Sequence, residues 1–372
     1  MSPMSQSKLT YEQSGVDYAK IDPLKVLAQQ AAMATGRNTA SAGVTEVVAS
    51  RGESAYVMDV GDFYIACITE CLGTKALVAD ATREITGKTY YDYIAQDTIA
   101  TAVNDLITVG ARPLSIHAYW ATGGSDWFDD KQRMQDLVDG WKRACDSIGV
   151  AWGGGETPSL SGVVEAGAID LGASCTGIIR PKERLTMGYD LKAGDAIILL
   201  ESSGIHANGV SLARKLADRL PDGYGASISD GRLYGEALLD PTILYATLTE
   251  ALFEAGVSVR YIANITGHGW RKIMRHPGSF TYRITDIPPV PPVLEFIVEQ
   301  TRQDSHEAYG SLNMGAGFAL FVPPEDVDTV LACSAQNGIQ AYHAGVVEDG
   351  PRQVVVDPLD IVFGGDSLDL RA

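Results

Sequence analysis

Acidic side chains at the ends of predicted helices and strands are the residues of this sequence whose types and spacing could do chemistry. Asp97 and Asp105 lie eight residues apart on one predicted helix, about 80° apart around its axis, so both can border one site. Glu156 ends a glycine-rich segment, and Glu70 and Lys75 bracket a short turn. Converging carboxylates beside a lysine suit Mg²⁺ that bridges polyphosphate oxygens. Taken singly, each acid also fits a surface charge or a helix cap.

Two histidines and one asparagine are further candidates for a site. His206 lies on a glycine-bounded turn after a predicted buried strand, where a titratable imidazole could transfer protons. A structural, hydrogen-bonded histidine is the alternative, and His268 between two glycines leaves the same two interpretations. Asn104, next to Asp105, either binds a ligand or caps backbone groups. The residue types alone leave these alternatives open.

Glycine clusters occur where the predicted elements change. The chain has 39 glycines in 372 residues, about a tenth, against a usual share of about 7%. They gather at 153–156, 202–209, 266–270 and 314–317. Such loops allow positive φ and close backbone approach, which a phosphate-binding loop requires and an ordinary tight turn also requires. Neither a Walker loop nor a Rossmann fingerprint is present. The standard nucleotide-binding motifs therefore do not decide whether these loops bind phosphate or are ordinary turns.

The composition of the chain excludes several classes of partner. With 29 Lys and Arg against 47 Asp and Glu, the formal net charge of −18 disfavours binding to nucleic acid and to anionic lipid. No run approaches the roughly 18 apolar residues of a membrane span. Five cysteines with neither zinc spacing nor a Cys-x-x-Cys pair indicate a reducing cytoplasm. A phosphorylated substrate would therefore need local donors, or metal ions held between carboxylates.

Strands and helices alternate in both halves of the sequence. The pattern predicts a hairpin over 55–69, helices over 94–109 and 134–148, and strands over 113–120, 150–152 and 167–179. Further on, it predicts strands over 196–200 and 317–322 and helices over 208–220, 242–255, 293–301 and 325–337. The segment 153–156 is predicted to be a turn, and a charged stretch with proline at 180–184 separates domains 1–180 and 181–372. The interleaving predicts an α/β or α+β fold in each half.

The segments that carry these candidates occur in the order of a known family. They are Tyr11–Asp17, Leu72–Lys75, Asp97 with Val103–Leu106, Ala121–Gly123, Gly154–Thr157, Ser202–Gly209, Thr266–Gly269 and Asn313–Gly317. In this order, and over nearly the whole chain, they resemble aminoimidazole ribonucleotide synthetase, the phosphoribosylformylglycinamidine cyclo-ligase of purine biosynthesis. So many ordered segments are not expected to agree by chance.

The resemblance implies a two-domain α/β fold whose N-terminal sheet joins that of a second copy in a dimer-forming barrel. It also implies ATP at the junction of the domains and subunits. Enzymes of this family use ATP to phosphorylate the formyl oxygen of formylglycinamidine ribonucleotide, after which the amidine nitrogen closes the imidazole ring with loss of phosphate. Mg²⁺ neutralises the transferring charge. The implied partners are therefore ATP, a phosphorylated small molecule and a second copy of the chain.

The roles of individual residues are implied by their positions in the matching segments. The resemblance implies catalytic roles for His206 and Lys75, with the lysine meeting phosphate. The acids implied to bind metal are Glu70, Asp97, Asp105 and Glu156. The residues implied to bind the nucleotide or to line the substrate side are Gly73, Thr74, Asn104, Gly154, Gly155, Thr157 and Asn208.

The sequence departs from the family pattern at several positions. Glu70 replaces the metal-binding aspartate usual in the family, Cys71 replaces a glycine, and a Gly-Gly-Phe-Gly loop near residue 45 is absent. Ile243 and Gly310 stand where the family usually has basic residues. Lys272 and His268 are polar residues that the family pattern lacks. Two alternatives to the cyclo-ligase follow. One is another ATP-dependent phosphoryl transfer of the same superfamily on a different small molecule, and the other is a nucleotide-binding dimer without turnover.

Overall fold

The computed structural model describes residues 8–9 and 18–368 of the chain. The segment Tyr11–Asp17, which carries part of the family resemblance, lies outside these described residues. Within them, no helix combines the length and the apolar composition needed to cross a membrane. The described strands form two separate sheets, one from each half of the chain.

The first half of the chain folds into a six-stranded sheet with helices. Its elements are α1 (Tyr18–Met33), β1 (Thr45–Glu46), β2 (Tyr56–Asp59), β3 (Tyr64–Cys71), α2 (Lys75–Thr86), α3 (Tyr91–Leu106), β4 (Arg112–Thr122), α4 (Lys131–Ile148), β5 (Ala151–Glu156) and β6 (Ile169–Ile179). The strand order is β1-β2-β3-β6-β4-β5, and only β4 and β5 pair in parallel. Helix α3 packs against β3, β6 and α4. Its apolar stripe, which includes Ile94, Ile99 and Val103, is fully buried there and builds the first core.

The second half of the chain contributes a seven-stranded sheet. Its elements are β7 (Ala196–Glu201), α5 (Val210–Ala217), α6 (Tyr234–Leu238), α7 (Ala246–Glu254), β8 (Tyr261–Asn264), β9 (Phe280–Ile284), α8 (Pro292–Thr301), α9 (Ser305–Ser311), β10 (Ala316–Val322), α10 (Val327–Gln336), β11 (Ala341–Asp349), β12 (Gln353–Val356) and β13 (Ile361–Gly364). The strand order is β13-β12-β9-β11-β7-β10-β8, with β9 and β12 the parallel pair. Every residue of β10 is buried, so this strand lies in the middle of the second core.

The predicted α/β (α+β) fold is confirmed, since each half combines a mixed sheet with helices. The glycine stop signals act as expected: Gly110 and Gly149 follow the helical segments at φ 81° and 66°, a conformation that glycine adopts without strain. The predicted hairpin is also confirmed, because β2 and β3 pair antiparallel around Gly61.

The predicted turn at residues 153–156 is wrong, because these residues continue strand β5. The glycines are needed there for close approach rather than for a turn. A Cβ on Gly155 would lie 2.1 Å from the carbonyl oxygen of Ala118 in the neighbouring strand β4. Glycine at this position therefore lets the two parallel strands pair tightly.

Candidate active site

A cavity of about 560 Å³ lies where the two halves of the chain meet. The first half lines it with the end of β3, the loop before α2 and one side of α3. The second half lines it with the loop before α5, the end of β8 and the turn that follows β8. The predicted site residues that line the cavity are Glu70, Gly73, Thr74, Asn104, Asp105, His206 and Asn208. Segments far apart in the sequence thus share one space.

Three carboxylates line this cavity from the first half: the predicted site residues Glu70 and Asp105, and Glu53, whose Oε2 accepts a hydrogen bond of 2.7 Å from the Tyr261 hydroxyl. Glu70 lies near the end of β3, and Asp105 lies in the last turn of α3. Burial, and then the negative charge of Asp105, raise the pKa of Glu70 to about 7. Asn264 at the end of β8 donates a hydrogen bond of 2.6 Å from Nδ2 to Oδ1 of Asp105. Glu70 and Asp105 therefore repel each other, and a cation bound between them would relieve this repulsion.

The four acids predicted to bind metal do not form one cluster. Among the described residues, no group of three or more His, Cys, Asp or Glu side chains is placed to hold a metal ion. Only Glu70 and Asp105 of the predicted acids reach the cavity. Mg²⁺ usually takes only one or two protein carboxylates and completes its coordination with phosphates and water. A pair of carboxylates in a cavity large enough for a triphosphate fits that pattern.

The predictions that Asp97 binds metal and that Lys75 meets phosphate are corrected by a buried ion pair. Lys75 Nζ lies 2.7 Å from Asp97 Oδ2, and both side chains are completely inaccessible to solvent. The same ammonium donates to the carbonyl oxygen of Asp240, at 3.2 Å. Asp97 Oδ1 accepts hydrogen bonds from the backbone N–H of Thr242, at 2.8 Å, and from its hydroxyl. Both residues are bound to the second half of the chain and do not line the cavity.

Asn104 has a similar structural role at the edge of the cavity. Its Nδ2 donates to the carbonyl oxygen of Ile243, at 2.8 Å, and its Oδ1 accepts from the backbone N–H of Tyr245, at 3.2 Å. Gln96 adds a bond of 2.8 Å to the carbonyl oxygen of Thr242. These bonds hold residues 242–245 in a non-helical conformation, so the helix predicted from residue 242 begins only at Ala246. The backbone-capping interpretation of Asn104 is the one the contacts favour.

The loop between β3 and α2 has the form of an anion site. Gly73 has φ 74°, and Thr74 precedes the first residue of α2 without capping it by its side chain. The first N–H groups of a helix have no intrahelical partner and carry partial positive charge. Because Gly73 and Thr74 line the cavity, these groups are available to a phosphate oxygen there. The structure thus places the predicted phosphate-binding residues where phosphate could be bound.

His206 lies in the turn before α5 and is a neutral hydrogen-bonding group. The backbone N–H of Ser203 donates to its Nε2 at 3.1 Å, so the ring proton is on Nδ1. Burial, together with the positive charge of Lys75, lowers the pKa of His206 to about 3. The imidazole is therefore uncharged near neutral pH. It can donate a hydrogen bond from Nδ1 but does not supply the titrating acid or base that the sequence suggested.

The glycine at the start of β10 leaves room for His206. A Cβ on Gly317 would lie 2.1 Å from the hydroxyl oxygen of Tyr245 and 2.7 Å from Cε1 of His206. Tyr245 cannot easily move away, since it is buried and its hydroxyl donates at 2.6 Å to the carbonyl oxygen of Glu201. The Asn-x-Gly-x-Gly segment therefore acts by keeping the space beside the histidine free.

Replacing Gly317 by alanine is expected to lower the free energy of unfolding by roughly 1–3 kcal/mol, because the methyl group overpacks this space. Urea denaturation followed by circular dichroism measures the change. Gly225→Ala is the matched control, because the nearest atom to an added Cβ there is 3.7 Å away, on Ile85. The control is expected to change stability by less than about 0.5 kcal/mol. Equal stabilities of the two variants would contradict the proposed crowding.

The residues predicted around the end of β5 lie outside the cavity. Strand β5 forms one edge of the first sheet, and all of its residues are exposed. Glu156 is among them, and its Oε1 accepts a hydrogen bond of 3.0 Å from the backbone N–H of Thr157. Gly154, Gly155, Glu156 and Thr157 therefore do not line this cavity within the same chain, and their predicted roles in binding metal and nucleotide remain predictions.

Asn264, Lys272 and Arg275 are among the cavity residues to which the sequence assigned no role. Lys272 and Arg275 follow the glycine segment 266–270, and Asn264 precedes it. Arg275 donates to the carbonyl oxygen of Gly52 at 3.0 and 3.2 Å and to Ser54 Oγ at 2.8 Å. It thereby holds a segment of the first half against the second. The pattern in the sequence that could have identified these three residues is the presence of polar side chains on both sides of a glycine cluster.

The chain matches two consecutive family descriptions. Residues 52–179 match "AIR synthase related protein, N-terminal domain", and residues 192–358 match "AIR synthase related protein, C-terminal domain". A protein of Methanococcus maripaludis named phosphoribosylformylglycinamidine cyclo-ligase is 31% identical over 344 residues, which covers 92% of this chain and 93% of that protein. The chain belongs to the AIR synthase related family. A protein of the same name from Methanothermobacter thermautotrophicus is 32% identical over 94% of this chain and 97% of its own length.

Solved structures with the same fold are more distant in sequence. The structure of AaThiL complexed with AMPPCP and TMP matches with a TM-score of 0.56 and 17% identity, covering 83% of this chain and 89% of that one. Thiamine-monophosphate kinase from Stenotrophomonas maltophilia matches with a TM-score of 0.56 and 16% identity, covering 82% and 88%. At this identity the matches show the fold alone.

Proposed function

We propose that this chain is an ATP-dependent cyclo-ligase that converts formylglycinamidine ribonucleotide to aminoimidazole ribonucleotide, with release of ADP and phosphate. The family relatives that share nearly its whole length carry the corresponding name. The main support for the proposal is the composition of the cavity. It is lined by the N-terminus of α2, by the Glu70 and Asp105 carboxylates and by the turn that contains His206. An anion site beside a cation site is what a transferring phosphoryl group requires.

In the proposed reaction, the triphosphate of ATP binds at the loop of Gly73 and Thr74. Glu70 and Asp105 would hold Mg²⁺, which would neutralise charge on the phosphate oxygens. The formyl oxygen of the substrate attacks the terminal phosphorus, and the bond to ADP breaks. The amidine nitrogen then attacks the activated carbon, the imidazole ring closes, and phosphate leaves with the former formyl oxygen. Neutral His206 can orient the substrate by a hydrogen bond from Nδ1, which does not depend on pH near neutrality.

The exposed edge of the first sheet supports the proposed homodimer. Strand β5 carries Trp152 at 37% exposure, and the neighbouring strand β4 carries Leu114 and Tyr119 at 47% and 38%. Large apolar side chains on an open sheet favour burial against a second sheet. We place Gly154, Gly155, Glu156 and Thr157 in the site of the partner subunit, so that each site is completed across the interface. We also propose that the boundary between the two domains lies between residues 180 and 181.

Incubation of the purified chain with formylglycinamidine ribonucleotide, ATP and Mg²⁺ is expected to yield aminoimidazole ribonucleotide and one ADP per turnover. Mass spectrometry of the products measures both. Phosphoryl transfer to another small molecule is the second candidate, which Glu70 in place of the family aspartate favours, because its longer side chain shifts the carboxylate. ADP formed only with a different acceptor would support the second candidate. Nucleotide binding without turnover on any acceptor would contradict both.

A further inference from the structure

The cavity requires a cation that the predicted phosphate lysine does not supply. Lys75 is buried in an ion pair and does not line the cavity. Three lysine or arginine residues of the described chain do line it: Lys25, Lys272 and Arg275. Arg275 is bound to Gly52 and Ser54, and Lys25 has contacts of its own. Lys272 is thus the remaining candidate.

The backbone of Lys272 is held firmly beside the cavity. It lies in the short helical turn Gly269–Met274, directly after the glycine segment. Trp270 in this turn is fully buried, and its Nε1 donates a hydrogen bond of 2.7 Å to the carbonyl oxygen of Asn313. The two residues that follow Lys272 are also buried. With its neighbours anchored in the core, Lys272 lines the cavity from the wall formed by the second half.

The ammonium of Lys272 has no partner in the part of the chain that the structure describes. Residues 8–9 and 18–368 provide it with no hydrogen bond and no ion pair, although Glu70 and Asp105 attract it from a longer distance. Burial, and then the positive charge of Arg275, lower the pKa of Lys272 to about 7. A half-buried ammonium without a partner is unfavourable unless an anion completes its surroundings. The fold therefore maintains an unsatisfied donor that faces the cavity.

We propose that Lys272 binds the terminal phosphoryl group of ATP and stabilises its charge during transfer, the role that the sequence had suggested for Lys75. This inference rests on the proposed function. Glu70 and Asp105 would hold Mg²⁺, which would neutralise charge on the phosphate oxygens of the nucleotide. Lys272 lines the same cavity as both carboxylates and is in contact with neither, which leaves its ammonium available to the terminal phosphate of the same nucleotide. Each half of the chain then supplies part of the charge that the reaction needs.

The test compares two nucleotides that differ by this one phosphate. Isothermal titration calorimetry measures the binding of AMP-PNP and of ADP, each with Mg²⁺, to the full chain. Lys272→Met is expected to weaken AMP-PNP binding on the order of 10- to 100-fold, the effect of one lost charged hydrogen bond. ADP binding is expected to change by less than about twofold, since ADP lacks the contacted phosphate. Turnover is expected to fall by about 100-fold or more.

Two further variants serve as controls for this test. Lys272→Arg retains the charge and is expected to keep the preference for AMP-PNP over ADP. Lys142→Met removes a lysine that is 70% exposed on α4 and is expected to change neither affinity. Unchanged AMP-PNP binding by Lys272→Met, or an equal loss for both nucleotides, would overturn the assignment of Lys272 while leaving the proposed function intact. Failure of the unmodified chain to bind either nucleotide would overturn both.

Discussion

Replacing Lys75 by methionine is expected to lower the free energy of unfolding by about 3–5 kcal/mol, a large part of the stability of an ordinary domain. The substitution leaves the Asp97 carboxyl without its cation in a position with no access to solvent, where burial already raises its pKa, so the group is either charged and unpaired or takes up a proton. The pair also fixes the backbone of Asp240 and Thr242, so the loss extends to the junction of the two halves. Urea denaturation measures the change.

Two controls distinguish this effect from a general cost of losing a lysine. Lys75→Met combined with Asp97→Asn removes the buried charge but keeps an oxygen that accepts from Thr242, and it is expected to recover at least half of the lost stability. Lys142→Met breaks an exposed ion pair with Asp146 and is expected to leave the free energy of unfolding nearly unchanged. If Lys75→Met were no less stable than Lys142→Met, the buried pair would not stabilise the junction.

Mixing two inactive variants is expected to restore activity if each site is shared between subunits. Glu70→Gln and Glu156→Gln should each lower kcat/KM on the order of 10²- to 10³-fold, the effect of removing one group that stabilises transition-state charge. In a heterodimer of the two, one site contains both altered residues and the other contains neither. Equal amounts, allowed to exchange subunits, should therefore recover about a quarter of the unmodified activity.

The matched control uses two residues from the same wall of the cavity. A mixture of Glu70→Gln and Asp105→Asn leaves every site with one altered acid, so no recovery is expected. Native mass spectrometry confirms that subunits have exchanged. If the first mixture showed heterodimers without activity, Glu156 would act within its own subunit or not at all. Sedimentation equilibrium provides the underlying measurement, since a monomer would exclude a shared site.

The local elements of this fold could largely be predicted from the sequence. The spacing of Ile99, Val103 and Leu106 predicts a helix with one apolar face, and the glycine after it predicts where the helix ends. Strand β7 was predicted from five consecutive apolar residues, which are buried on both faces. These signals depend only on neighbours within a few positions, so the chain itself contains the necessary information.

The roles of the charged residues could not be predicted in the same way. Lys75 and Asp97 have the residue types and the positions of ligand-binding groups. They pair with each other, and the backbone groups that they bind lie more than 140 residues away, at Asp240 and Thr242. Whether such a side chain faces a cavity or a backbone is decided by that long-range packing. Lys272 shows the opposite case, because only the assembled cavity reveals an ammonium without a partner.

The contacts of residues 240–245 bear on how the molecule can be divided. The chain matches two family descriptions, which divide it into an N-terminal and a C-terminal module. Yet Lys75, Asp97, Gln96 and Asn104 bind backbone atoms of the other module, and water would replace those partners if the modules were cut apart. A buried ion pair with half of its surroundings removed is a cost that neither fragment can offset alone. We therefore expect the two modules to unfold together as a single cooperative unit.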